Sequence, residues 1–321
     1  MSNSFDFNVL HERAKLYYLV RLFFEKSTAL EVETPILSSS TTTEPFIDSF
    51  DLVEGNQRLF LHTSPEFYMK RLLTAVQQDI YQLVKVFRRE ESGNKHLREF
   101  SLLEWYRVNI DEQALIDDVA NLMQSIWVSF RPDNEKLTVE KISYQTLFEN
   151  YYQINPHQTT ISELKACAKH SGLISLETAL GDEKDRWLDA LMSCVLESNL
   201  GGTHSDPKMT FIYDYPKSQC ALARISKDEQ GNQVAKRFEL YIAGVELANG
   251  FYELNDEKEQ RRRFNNENSY RRMIEKEQIP LDEEFLNDLD TLPECAGVAL
   301  GIDRLLMLLL GKNSVHEVVY P

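Results

Sequence analysis

Residues 87–106 read FRREESGNKHLREFSLLEWY, and no other stretch limits the possible folds of the chain so strongly. A charged segment, a polar loop and an apolar segment follow in close succession. The pattern predicts strands over 80–90 and 99–108 around a loop at 91–98, which makes a hairpin. Strand side chains alternate between faces, so Arg88 and Glu90 share a face, as do Phe100, Leu102, Glu104 and Tyr106. One surface can then carry an arginine, two carboxylates and aromatic rings. A solvated charge run needs no aromatics, and a core strand needs no carboxylate. An arginine fork suits phosphate oxygens, Phe100 offers a ring for a base, and Glu104 with Tyr106 offers polar atoms for an ammonium group. Arg88 alone would read as a surface ion-pair residue; the set does not.

A second segment near the C-terminus, GVALGIDRLL (297–306), reads as a strand, a glycine-bounded turn and a helix start. Gly297 and Gly301 permit close backbone approach. Arg304 falls in the first helical turn, where backbone N–H groups also attract anions. Alone, this motif reads as helix packing; beside the hairpin it points to a phosphate site.

The remaining signals set the class. Helices are expected over 11–28, 64–75, 112–129, 161–172, 182–199 and about 255–276, with Ser64 capping the second and Pro65 at its first position. LEVETPIL (30–37) is strand-like up to Thr34, and 234–254 reads as strands broken at Gly244 and at Asn249-Gly250. Segregated helices and pairing strands imply an α+β fold with a mainly antiparallel sheet flanked by helices. The net charge of −16 disfavours general nucleic-acid binding, and the arginines at 261–263 and 271–272 read as a mixed-charge helix face. The longest apolar run, Leu305 to Leu310, is too short to span a bilayer, and no secretory signal is visible. The four cysteines lie far apart without a C-x-x-C, which implies reduced thiols and a cytoplasmic setting.

Taken together, LEVETPIL, FRREE…HLREF…LLEWY and GVALGIDR resemble motifs 1, 2 and 3 of a class II aminoacyl-tRNA synthetase catalytic domain. TSPE between the first two and RFELYIAGVELANGFYEL before the third resemble the lysine subgroup. The wording is most similar to the free-standing lysyl-tRNA synthetase paralogues that attach (R)-β-lysine to elongation factor P. Motif 1 begins at about residue 25, which leaves no room for the anticodon-binding barrel of a lysyl-tRNA synthetase. The expectation is a single catalytic domain over 1–321 that forms a homodimer, with no membrane association and no stable tRNA binding.

The resemblance implies a site residue by residue. Arg88 and Arg304 would be catalytic, stabilising charge on the ATP phosphates. Arg89, Glu90, His96, Leu97, Phe100, Glu246, Leu247 and Gly301 would complete the ATP site, with Glu90 at the adenine amino group and Phe100 stacked on the ring. Glu239 and Glu246 would hold Mg²⁺. Ser64, Pro65, Glu66, Glu104, Tyr106, Asn249, Glu253 and Ala299 would line the amino-acid pocket. Glu246 and Glu253 are seven apart, so a continuous strand would aim them at opposite faces, and a break or bulge at Asn249-Gly250 is expected. The sequence departs from the family pattern H-N-P-E-F at Leu97-Arg98, and Ala299 stands where lysyl-tRNA synthetases carry glycine. The implied activity is a carbon–nitrogen ligase that forms an adenylate and transfers it to a lysine side chain of elongation factor P. The alternative is a truncated lysyl-tRNA synthetase-like enzyme charging tRNA or another small amine. A dead paralogue is disfavoured, because arginines and carboxylates persist at every expected ATP and Mg²⁺ position.

Overall fold

The structure, a computed structural model, describes residues 6–131, 136–173 and 177–320. The chain divides into two compact units, Met1–Glu135 with Glu253–Pro321, and Lys136–Tyr252.

In the first unit the strands run in the order Leu30–Glu31, Ile80–Phe87, Glu99–Val108, Cys295–Gly301. The first pair is parallel and the other two are antiparallel. Glu99–Val108 is central and buried on both faces, which explains its unbroken run of large side chains. Leu103, Trp105 and Arg107 alternate toward the helices Asn8–Lys26 and Glu112–Phe130. There Phe24 meets Trp105 at 5.6 Å, and the Trp105 indole and the Arg107 guanidinium both donate to Asp118. Leu102, Glu104 and Tyr106 alternate to the other face. A second, three-stranded sheet joins Leu37–Ser38, Gln57–Leu61 and Asp51–Glu54.

Three expectations about this unit change in detail. The hairpin's first strand ends at Phe87 rather than 90, so Arg88 continues the pairing through one bond only, its N–H donating to the Arg98 carbonyl at 2.9 Å. Glu90 lies in an exposed turn. The helix after Ser64 is Glu66–Val76, so Pro65 rather than Ser64 is its N-cap and no side chain caps it; Ser64 Oγ still accepts from the Glu66 N–H at 3.1 Å, one residue outside the cap. On the helix Glu257–Met273 the arginines pair with carboxylates, Arg261 with Glu257 and Glu283, Arg262 and Arg263 with Glu259, while Arg263 and Arg271 are buried.

The second unit has strands in the order Val245–Tyr252, Gln233–Ile242, Lys208–Pro216, Thr138–Ser143, with Ile225–Lys227 on the edge of Gln233–Ile242. The last pair in that order is parallel and the others are antiparallel. The helices Tyr144–Tyr152, Ile161–His170 and Lys184–Leu191 supply its core, with Phe148, Leu164, Trp187 and Leu188 buried together. Helical structure does continue toward 199, but as a π turn Met192–Leu196 and a short 3₁₀ turn. The strand break at Gly244 is real. The one expected at Asn249-Gly250 is not, since both residues stay in register opposite Glu239 and Phe238. The extra residue is Leu247 instead. Ala248 faces Leu240 and Glu246 faces Tyr241, which leaves Leu247 without a partner in the ladder. The bulge keeps Glu246 on the face that carries Glu239, Tyr241 and Asn249.

Candidate active site

Most of the expected amino-acid pocket assembles within the first unit. Glu104 is buried, and both of its oxygens are engaged: the Tyr106 hydroxyl donates to Oε1 and the Ser64 hydroxyl to Oε2, each at 2.7 Å. Ser64 therefore has two tasks, since the same oxygen also accepts from the backbone N–H of Glu66. In the sheet Glu104 lies between Gln82 and Ala299, its register partners on either side. Gln82 accepts from the Thr34 hydroxyl at 2.9 Å. Ala299 is half-buried, beside Glu104 in the sheet.

Glu253 is buried opposite this row, anchored by its N–H donating to the Cys295 carbonyl at 3.0 Å. Gly297 makes the approach possible. A Cβ there would run into the Tyr106 ring and the Glu253 carboxylate. Gly301 differs, for a Cβ at 301 would meet only the Arg304 side chain at 3.8–3.9 Å, an ordinary contact.

A residue absent from the sequence-based site completes the group. Lys70 is 1% exposed, and its Nζ lies 2.5 Å from Glu66 Oε1 and 2.6 Å from Glu253 Oε2. A signal for it existed. Lys70 follows Glu66 by one helical turn and lies on the stripe that carries the buried Met69 and Leu73. Three carboxylates around one ammonium cannot all ionise freely. Burial and the negative charge of Glu66 push Glu104 up to about 7. Burial, with further repulsion from Glu66 and Glu104, pushes Glu253 up to about 8 against the pull of Lys70. Burial would discharge Lys70, but Glu253 and Glu66 hold its ammonium well above the usual range.

The candidate nucleotide residues of this unit sit on more open ground. Arg88 is half-buried, lies 5.1 Å above the Phe100 ring and pairs with Glu91 at 3.0 Å. Arg304 donates from Nε to the Lys95 carbonyl at 3.0 Å, which ties the third motif to the 91–98 loop. His96 closes a tight turn with Gly93. Desolvation and the cations Arg304, Arg88 and Lys95 hold its imidazole below the ordinary range, despite some push from Glu91. Leu97 is half-buried. Arg89 turns aside: its guanidinium pairs with Asp51 and its N–H donates to the Asp48 carbonyl at 2.7 Å. Glu90 is exposed in its turn.

The second unit carries Glu239, Glu246, Leu247 and Asn249. Glu239 Oε2 accepts from the Tyr215 and Tyr241 hydroxyls, both at 2.6 Å, and Oε1 accepts from Arg237 at 2.5 Å. Glu246 and Asn249 are half-buried on the same face, and the Asn249 side-chain oxygen is buried without a partner among the described residues. Leu247 is buried, so any contribution to a nucleotide falls to its backbone.

A buried acidic pocket beside an arginine-bearing hairpin and a strand–turn–helix arginine is the arrangement of an enzyme that activates an amino acid with ATP. A family profile described as tRNA synthetases class II (D, K and N) matches residues 2–321, and the chain belongs to that family. The chain is 41% identical over 317 residues to the protein named Elongation factor P--(R)-beta-lysine ligase in Haemophilus ducreyi, covering 97% of this chain and 92% of that one. It is 40% identical over 314 residues to the protein of the same name in Pasteurella multocida, covering 96% and 92%. The protein of that name in Vibrio parahaemolyticus is 39% identical over 316 residues, covering 96% and 94%.

Proposed function

We infer that this chain is an ATP-dependent ligase that activates (R)-β-lysine as an adenylate and transfers it to a lysine side chain of elongation factor P. The relatives' shared name over nearly their whole length supports the reading. The observation that carries it is the pocket. Glu66, Glu104 and Glu253 with Lys70 sum to −3 + 1 = −2 when ionised, which matches a substrate bearing two ammonium groups.

Chemically, the substrate carboxylate attacks the ATP α-phosphorus. The bond to the β-phosphate breaks, and pyrophosphate leaves with its electron pair. Arg88 and Arg304 stabilise charge on the phosphate oxygens, Phe100 stacks on the adenine, Glu90 reads the adenine amino group, and the 96–97 backbone lies over the nucleotide. The lysine amine of the acceptor then attacks the adenylate carbonyl, an amide forms, and AMP departs as the nitrogen loses its proton. Mg²⁺, when bound, adds Lewis-acid stabilisation of the phosphates. Glu246 with Glu239 would hold it, and hard carboxylate oxygens on one sheet face, from two paired strands, suit that ion. Among the described residues no group of three or more His, Cys, Asp or Glu forms a metal cage, so phosphate oxygens and water would complete the shell.

The reading also takes 1–321 as a single catalytic domain in a cytoplasmic homodimer that binds no tRNA stably. Among the described residues no helix is long and apolar enough to cross a membrane. Exposed Leu10, Tyr18, Leu30 and Ile36 along the first helix and motif 1 offer the apolar surface for a two-fold contact. A monomeric mass in light scattering at micromolar concentration with full activity would contradict the dimer. The function itself is tested by amino-acid-dependent pyrophosphate exchange with α-lysine and (R)-β-lysine, followed by transfer to purified elongation factor P. Exchange and transfer with (R)-β-lysine are expected; charging of tRNA instead would overturn the reading.

A further inference from the structure

We propose that Lys70 is a positioning residue that fixes both the charge and the spacing of the amino-acid pocket, so that it accepts a substrate with two ammonium groups. The proposal rests on the reading above and deepens it.

A lysine buried for stability alone would be a poor choice at this position. The helix Glu66–Val76 packs Met69 and Leu73 at 0% exposure on the same stripe, and an apolar side chain at 70 would join them without desolvating an ion. Replacing a buried ion pair by apolar groups is often neutral or stabilising. The ammonium is retained next to carboxylates that already crowd one another. Lys70 Nζ holds one oxygen of Glu66 and one of Glu253 within 2.6 Å of a single atom, although these residues come from a helix start and from a segment almost two hundred positions later. Glu104 is fixed independently by Ser64 and Tyr106. Lys70 therefore decides where two of the three carboxylates stand relative to the third.

The charge follows the same logic. Without Lys70 the three ionised carboxylates would carry −3, and could return to −2 only by fixing a proton on one of them, which removes that group as a partner for an ammonium. Either outcome spoils the match to a dication while leaving the nucleotide arginines untouched. The ion pairs of Lys70 are with Glu66 and Glu253, residues assigned to the amino acid rather than to ATP, so its effect belongs in amino-acid KM and in the pH dependence of that KM.

The test is pyrophosphate exchange with whichever diamino acid the wild-type protein uses, together with direct titration of ATP binding. The wild-type arm reports on the proposed function: no exchange with any diamino acid would sink that reading by itself. Given wild-type exchange, Lys70→Met is expected to bind ATP as the wild type does, to keep kcat within about threefold, and to raise the amino-acid KM at least about tenfold. Millimolar n-propylammonium, which can refill the vacated ammonium position, is expected to lower that KM part of the way back. An unchanged KM overturns the proposal. So does an equal loss of ATP affinity and amino-acid affinity with no response to propylammonium, because that marks general damage to the fold. Should Lys70→Met fail to fold, Lys70→Arg keeps the charge but moves it. A folded Lys70→Arg protein with raised amino-acid KM and normal ATP binding supports the proposal, and one with wild-type KM overturns it.

Discussion

The acidic pocket and the nucleotide loop are built on neighbouring residues of one hairpin, yet they are held in opposite ways. Glu104, Glu253 and Lys70 are each 2% exposed or less, and their polar atoms are fixed by Ser64, Tyr106 and one another. Arg88, His96 and Arg304 stand on partly open ground, tied by a few bonds such as Arg304 to the Lys95 carbonyl and Arg88 to Glu91. The pocket has met its desolvation cost during folding, so its selectivity is preformed. The loop's cations stay partly exposed, so their contribution is expected mainly on ATP binding and in the transition state.

The comparison breaks most visibly at Arg88. Arg88→Ala is expected to lower the rate of adenylate formation by about 10²–10³, as for other lost transition-state donors, with little change in melting temperature. A folded protein losing less than about tenfold would put the phosphate charge elsewhere. Gly297→Ala tests the pocket side. The added Cβ must displace the Tyr106 ring or the Glu253 carboxylate. Overpacking of this kind costs about 1–3 kcal/mol. A fall in melting temperature and a raised amino-acid KM are expected, with ATP binding retained. Ala299→Gly acts in the reverse direction, removing a methyl directly opposite Glu104. It is expected to increase use of α-lysine relative to (R)-β-lysine, by an amount within the about 1–3 kcal/mol that one methyl is worth. Unchanged specificity in exchange kinetics would show that this methyl does not touch the substrate.

A smaller effect follows from protons. Glu104 and Glu253 are raised to about 7 and about 8, so below that window the empty pocket holds protons that a dication must displace. Binding then releases protons, and the amino-acid KM is expected to fall as pH rises from about 6 to 8 and then level. The same shifts make the substrate-free fold more stable on the acid side of the window, since a raised carboxyl binds more protons folded than unfolded. A flat KM profile, or one that rises with pH over that range, would contradict these assignments.

Periodicity explains how much of this was legible beforehand. The face shared by Phe100, Leu102, Glu104 and Tyr106 follows from the two-residue repeat alone, whereas the Ser-Pro signal before the second helix places its start one residue too early, since Pro65 is the N-cap. The end of the strand at Phe87 carries no mark in the sequence, because FRREE continues the same alternation into a turn. Asn249-Gly250 reads as a turn, but pairing with Phe238 and Glu239 overrides that preference, and the bulge falls at Leu247, which carries no sequence mark. Thr138–Ser143 went unread because it is exposed or half-buried along its length and so shows no alternation. Lys70 does not stand out in the sequence, because a lysine beside Arg71 reads as solvated surface. Only Glu253, which is far away in sequence, reveals it as an interior charge.

The central claim is that the hairpin's two ends recognise different parts of the reaction, the preformed carboxylates reading the amino acid and the open arginines reading ATP. Glu104→Gln tests it most directly, since it keeps the shape and removes one buried charge. KM for (R)-β-lysine and KM for ATP should be measured side by side by pyrophosphate exchange, above the pH window of the pocket. The account predicts a substantially raised amino-acid KM with the ATP KM near that of the wild type. A raised ATP KM with the amino-acid KM unchanged would contradict it and make Glu104 a structural partner of Ser64 and Tyr106.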